Sequence, residues 1–169
     1  MTIKTADELA TDFADGQLRG VTAEKVRNLL DSLNSVGGTL YGNDDDTVAL
    51  TTAWQPFEWF SNSIDTKGLT EDLTQGHFIL AAGADGVYAV DVSLGLFSNI
   101  AGWVEIAVTK NGGLTPYRSR RTLTAGGDGV MGIVASGNLV AGDTVGLAVR
   151  ASGTATITLR NGQFRAVRI

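Results

Sequence analysis

A single histidine, His77, is the first residue to weigh for acid–base chemistry. It stands between Gly76 and Phe78 at the start of an apolar run. A general base there needs a fixed partner to orient it, and otherwise His77 is a structural or surface residue. One histidine also excludes a multi-histidine metal centre within one chain. The chain has no cysteine, which removes disulfides, thiolate zinc sites, iron–sulfur clusters and cysteine nucleophiles. No Gly-x-Ser-x-Gly, phosphate-loop or His-Glu-x-x-His pattern occurs. The run Gly126-Gly127-Asp128-Gly129 leads into no helix, so it is no phosphate cradle. Asn43-Asp44-Asp45-Asp46 has the oxygen ligands a calcium ion takes, but lacks the downstream glutamate of a calcium loop. It reads as a solvated acidic linker, with metal binding by Asp44 to Asp46 as the open alternative. These residues predict no enzyme, no cofactor and no resident metal.

Two clusters point to binding instead. Trp54, Phe57, Trp59 and Phe60 place four of the 12 aromatics within seven positions. Strand alternation would put Trp54 and Phe60 on one face and Phe57 and Trp59 on the other. They read as core and subunit interface, or as a patch for carbohydrate or protein. Arg118, Arg120 and Arg121 follow Thr115-Pro116-Tyr117, and alternation sets Arg118 and Arg120 on one face. That strip is either solvated or meets carboxylates, such as the acidic first segment of a neighbouring chain.

The elements that must position these groups differ along the chain. Of 169 residues, 22 are glycine and 43% are hydrophobic. Residues 1–75 carry 5 basic and 13 acidic side chains, a net −8, whereas residues 76–169 carry 8 and 5, a net +3. Glycine is split 6 to 16 between the same stretches. The overall charge of −5 argues against nucleic acid as a partner. No run approaches the ~18 apolar residues of a membrane span, and Asp7 and Glu8 stand where a signal peptide needs its apolar core.

Thr5-Ala6-Asp7-Glu8 has capping-box form, and Ala6, Leu9, Ala10 and Phe13 recur at helical spacing before Gly16. Thr22 caps a second helix whose stripe is Val26, Leu29, Leu30 and Leu33, ended by Gly37-Gly38. From Thr39 the helical period vanishes. Strands are expected at Val48–Leu50, His77–Ala81, Val87–Leu96, Trp103–Val108, Val130–Ala135, Val145–Val149, Ala155–Leu159 and Phe164–Ile169. Asn111-Gly112-Gly113, Gly126 to Gly129, Ala141-Gly142-Asp143 and Asn161-Gly162 supply turns, the last as a two-residue hairpin. Eight short strands at such spacing predict an all-β sandwich or jelly roll. The expected division is a helical attachment segment at 1–36, an acidic linker leading into the first strand at 37–52 and a jelly-roll head at 53–169.

Gly76 to Tyr88, with Asp85-Gly86-Val87-Tyr88, and Leu139 to Val145, with Gly142-Asp143, resemble two strand-and-turn features of the tumour necrosis factor-like jelly roll. That superfamily includes the heads of complement-type collagenous proteins. The resemblance covers about residues 45–169 and implies a homotrimer. Phe13 to Gly16 and Val21 to Leu33 are similar to a leader of tailed-bacteriophage structural proteins, where it precedes a virion-exposed β domain. Together they imply a virion structural protein, made in the host cytoplasm and placed on the virion exterior. The expected role is a capsid decoration or cement protein bound to the major capsid protein, or else a tail fibre or receptor-binding tip on host-surface glycan. Leu9, Phe13, Val26, Leu29, Leu30 and Leu33 are the candidate attachment residues. Trp54, Phe57, Trp59, Tyr88, Arg118 and Arg120 are the candidates for a trimer or ligand interface.

Overall fold

The computed structural model describes residues 36–42 and 47–169. Their apolar residues alternate with polar ones or glycine, a period of two that sorts side chains to opposite faces of extended chain. Twelve strands result: β1 (Gly37–Gly42), β2 (Thr47–Leu50), β3 (Gln55–Pro56), β4 (Asn62–Lys67), β5 (Leu69–Asp72), β6 (His77–Leu80), β7 (Gly86–Ser98), β8 (Gly102–Lys110), β9 (Gly113–Leu123), β10 (Gly127–Leu139), β11 (Thr144–Ala151) and β12 (Ala155–Arg168). In β10 the alternation is regular from Gly129 to Ala135, with Met131, Ile133 and Ala135 buried and Val130, Gly132 and Val134 exposed.

All pairings are antiparallel and build two sheets. Sheet 1 has the order β10-β7-β12-β1-β4, with β2 also on β12. Sheet 2 has the order β5-β6-β11-β8-β9, with β3 also on β11. From β7 to β12 only the β8–β9 connection stays within one sheet, and the others cross between sheets as in a jelly roll. The inner faces meet through Leu40, Leu94, Ile157 and Phe164 of sheet 1 and Phe78, Ile106 and Val149 of sheet 2, all buried. Phe78 and Phe164 touch across the layers with ring centres 5.6 Å apart.

Three expectations are corrected. Asn161-Gly162 makes no hairpin: β12 runs unbroken through it, paired with β7 and β1, and bulges between Leu159 and Asn161. The two-residue turn needs positive φ at both residues, and neither Asn161 nor Gly162 has it. Asn111 and Gly112 do, at 52° and 73°, and they close the β8–β9 hairpin. The stretch expected as a linker leading into a first strand at Val48–Leu50 does hold that strand, as β2, but also β1 in the interior of sheet 1, so the head fold begins at Val36, which is buried. Gly37-Gly38, read as a helix stop, opens β1; at Gly38 a side chain would collide with the ring of Phe78. The expected helices, and Asp44 to Asp46, lie outside the described residues.

Candidate functional site

Trp54 to Phe60 do not form one alternating strand. Only Gln55 and Pro56 pair, with Val149 and Ala148 of β11. The chain then crosses the end of the sandwich, Phe57 N–H donating to the Leu147 carbonyl (3.0 Å) and Ser61 N–H to that of Tyr41 (3.1 Å). Crossing between layers drives Phe57, Trp59 and Phe60 all into the core, with Phe57 4.4 Å from Trp59 and 5.0 Å from Phe60 between ring centres. Tyr88 is buried as well, and its hydroxyl donates to the Ala84 carbonyl at 2.6 Å. Burial and apolar surroundings raise its pKa. Phe57, Trp59 and Tyr88, expected at an interface, are therefore core residues with no surface to offer a ligand or partner.

Trp54, Arg118 and Arg120 do come together, on the outer face of sheet 2. The register sets Arg120 of β9, Glu105 of β8 and Arg150 of β11 in one cross-strand row. A Glu105 carboxylate oxygen accepts from Arg150 Nε at 2.8 Å and Nη2 at 2.6 Å, and from Arg120 at 3.2 Å. Burial pushes the Glu105 carboxyl upward, but the hydrogen bonds from Arg150 and Arg120 outweigh it and hold it below the usual range. Arg120 lies 4.1 Å from the centre of the Trp103 ring, and Arg150 lies 4.6 Å from Trp54 and 5.5 Å from Trp103. Cation and indole thus alternate across the sheet.

The next row is Arg118, Ala107, Ala148 and Pro56. Arg118 and Trp54 flank it from strands about 14 Å apart, three strand spacings. They meet at 5.6 Å because the residues between them are alanines, both buried. Beside this row opens a groove of about 250 Å³, floored by Thr109, Gly146 and Ala148. Trp54, Gln75 and His77 line one side and Gly112 and Leu114 the other. His77 is half-buried and paired in register with Gly146 and Asp72.

The outer face of sheet 1 is different. Val134, Val130 and Ile64 stand 78%, 61% and 50% exposed, among short residues such as Gly132, Ser93 and Thr39. Its central row carries one opposed pair, Asp91 across from Arg165. The turn motifs serve the frame. Asp143 accepts from Lys110 (2.7 Å), Asn111 (2.7 Å) and Val140 N–H (2.9 Å), which hold its carboxyl at about 2. Asp85 accepts from Ala141 N–H at 2.6 Å, fastening the turn before β7 to the turn before β11. Arg121 donates to the Val130 carbonyl at 2.8 Å and so braces β9 to β10.

Sequence reasoning missed Glu105, Arg150 and Trp103. A lone acid inside the apolar run Trp103 to Val108 was the available signal, since period two sets it on the face of Trp103. Among the described residues, no group of three or more His, Asp or Glu could hold a metal ion. Leu9, Phe13, Val26, Leu29, Leu30 and Leu33 lie outside the described residues.

No family model matches the chain, and no curated protein does. Solved structures do. An Eiger TNF from S. frugiperda has a TM-score of 0.54 at 16% identity, over 80% of this chain and 92% of that one. Murine APRIL has a TM-score of 0.52 at 14% identity, over 79% of this chain and 99% of that one. The two-sheet order, the antiparallel register and these likenesses give the described residues a TNF-like jelly-roll fold.

Proposed function

We propose that the chain is a virion structural protein that works as a homotrimer, decorating the capsid exterior through residues 1–35. The observation that carries self-association is the outer face of sheet 1. Its exposed valines and isoleucine and its short neighbours make a surface that loses little on leaving water, and the Asp91–Arg165 pair supplies polar register. A threefold assembly suits a TNF-like head, and a closed ring of identical contacts leaves no free patch for runaway association. Catalysis has no part in this reading.

Attachment is multivalent. Each leader offers a small set of apolar side chains, of which Leu29, Leu30 and Leu33 are the centre. Three leaders on one trimer raise the effective concentration of the second and third once the first is docked. Durable binding follows from individually weak contacts. Replacing Leu29, Leu30 and Leu33 together by aspartate leaves a folded head that no longer sediments with capsids; co-sedimentation at the wild-type level overturns the attachment. Labelling at the tail rather than over the shell in electron micrographs moves the chain to a tail fibre or tip.

A further inference from the structure

We infer that the outer face of sheet 2 is a binding site for an acidic saccharide, with Trp54 as its stacking surface and Arg118 as the partner of the ligand's carboxylate or sulfate. The groove beside Trp54 is lined by hydrogen-bonding side chains: the amides of Gln55 and Gln75, the His77 imidazole, and the hydroxyls of Thr109 and Thr144. A flat aromatic wall with converging amides and hydroxyls matches a ring that has one apolar face and hydroxyls at its rim. The floor at Gly146 and Ala148 has almost no side chain, so a ring can sit directly on the sheet.

The charge of the ligand follows from which cation is uncommitted. Arg120 and Arg150 both donate to Glu105. Arg118 is exposed, and among the described residues its guanidinium makes no ion pair and lies 5.6 Å from the centre of the Trp54 ring. That leaves its planar fork of donors, beside the Trp54 wall of the groove, for one anionic group, which it can hold bidentately. Nucleic acid would need several such cations along a track, and among the described residues no lysine or arginine lines the groove itself, with Arg118 beside its Trp54 wall. A peptide strand has no backbone to pair with, because β11 is already bonded to β8 on one side and to β6 and β3 on the other. All these residues belong to one protomer, so the site is independent of the assembly proposed above.

The test uses the full chain and four probes: a uronic-acid tetrasaccharide, a sialylated trisaccharide, a sulfated disaccharide and a neutral galactose tetrasaccharide. Tryptophan fluorescence and calorimetry read binding. At least one acidic probe should bind ten-fold or more tightly than the neutral one. Arg118→Gln should abolish that preference, and Trp54→Ala should weaken the preferred probe at least ten-fold. Arg118 packs on little besides Trp54, so its variant keeps the question answerable even if Trp54→Ala does not fold. Absence of binding by every acidic probe overturns the site, as does equal affinity for the neutral one or an unchanged preference in Arg118→Gln. Tighter binding of oligothymidylate or oligoglutamate overturns it in favour of a nucleic acid or an acidic peptide. A chain that fails to trimerise leaves each of these outcomes intact.

Discussion

At the scale of single residues, two carboxylates bear most of the electrostatic weight. Glu105 is 10% exposed at its side chain and is compensated by two guanidiniums, one of them 50% exposed. Glu105→Gln leaves both cations on the sheet without their counter-charge. Removing one partner of a fully buried pair costs about 3–5 kcal/mol, and solvent access to Arg120 lowers the expected loss here to about 1–2 kcal/mol. Denaturant titration at neutral pH reads it; an unchanged midpoint would mean that the row contributes no stability. Asp143 gives a pH signature. Its pKa in the folded chain, about 2, lies below the ordinary carboxylate value. Its contribution is therefore complete above about pH 4 and is lost as pH falls towards 2. Asp143→Asn should melt below the wild type at pH 7, and the two should converge near pH 2. A gap that persists at pH 2 would put the effect in packing instead of charge.

At the scale of elements, two Asn-Gly pairs show what local sequence can and cannot decide. Asn111-Gly112 turns because the Asn111 side chain also bonds across to β11, donating to Asp143 and accepting from Thr144 N–H at 2.8 Å. Asn161-Gly162 has the same local signal, yet β12 pairs with the 13-residue β7 on one side and β1 on the other and stays extended. Period-two alternation made β7, β8, β10 and β11 legible, since each has one face in the core. Strand β1 was hidden by its glycines, which allow close packing against Ala166 and Phe78. The Trp54–Phe60 segment was hidden because a chain crossing between layers obeys no period, so neighbours of either parity are buried. Trp54 was recoverable from residue type and Arg118 and Arg120 from parity, whereas Arg150 joins Glu105 from a strand 45 residues away. Gly112 and Gly137 isolate the backbone contribution, because a side chain at either meets open space. Gly112 has a φ of 73°, so Gly112→Ala should cost about 1 kcal/mol, while Gly137→Ala should be neutral or stabilise by up to ~1 kcal/mol. Equal changes at the two positions would mean that the hairpin dihedral is not what Gly112 supplies.

At the scale of the whole molecule, the two sheets present surfaces of different character. Sheet 2 carries a row of charge and indole beside a polar groove. Sheet 1 carries exposed Val130, Val134 and Ile64 among short residues, with Asp91 opposite Arg165 and an Asp128–Arg160 ion pair. A molecule built this way can assemble through one face while the other stays open to solvent and ligand. The acidic first stretch, net −8, and the basic remainder, net +3, extend that division along the chain, with the leader as the part proposed to dock. The central claim is association through sheet 1, and sedimentation equilibrium of the full chain tests it most directly. The expected mass is three times 17.7 kDa at micromolar concentration. Val134→Asp combined with Val130→Asp should then reduce it to a single 17.7 kDa chain with unchanged circular dichroism. A wild-type chain that sediments as a monomer, or a double variant that stays trimeric, would contradict it.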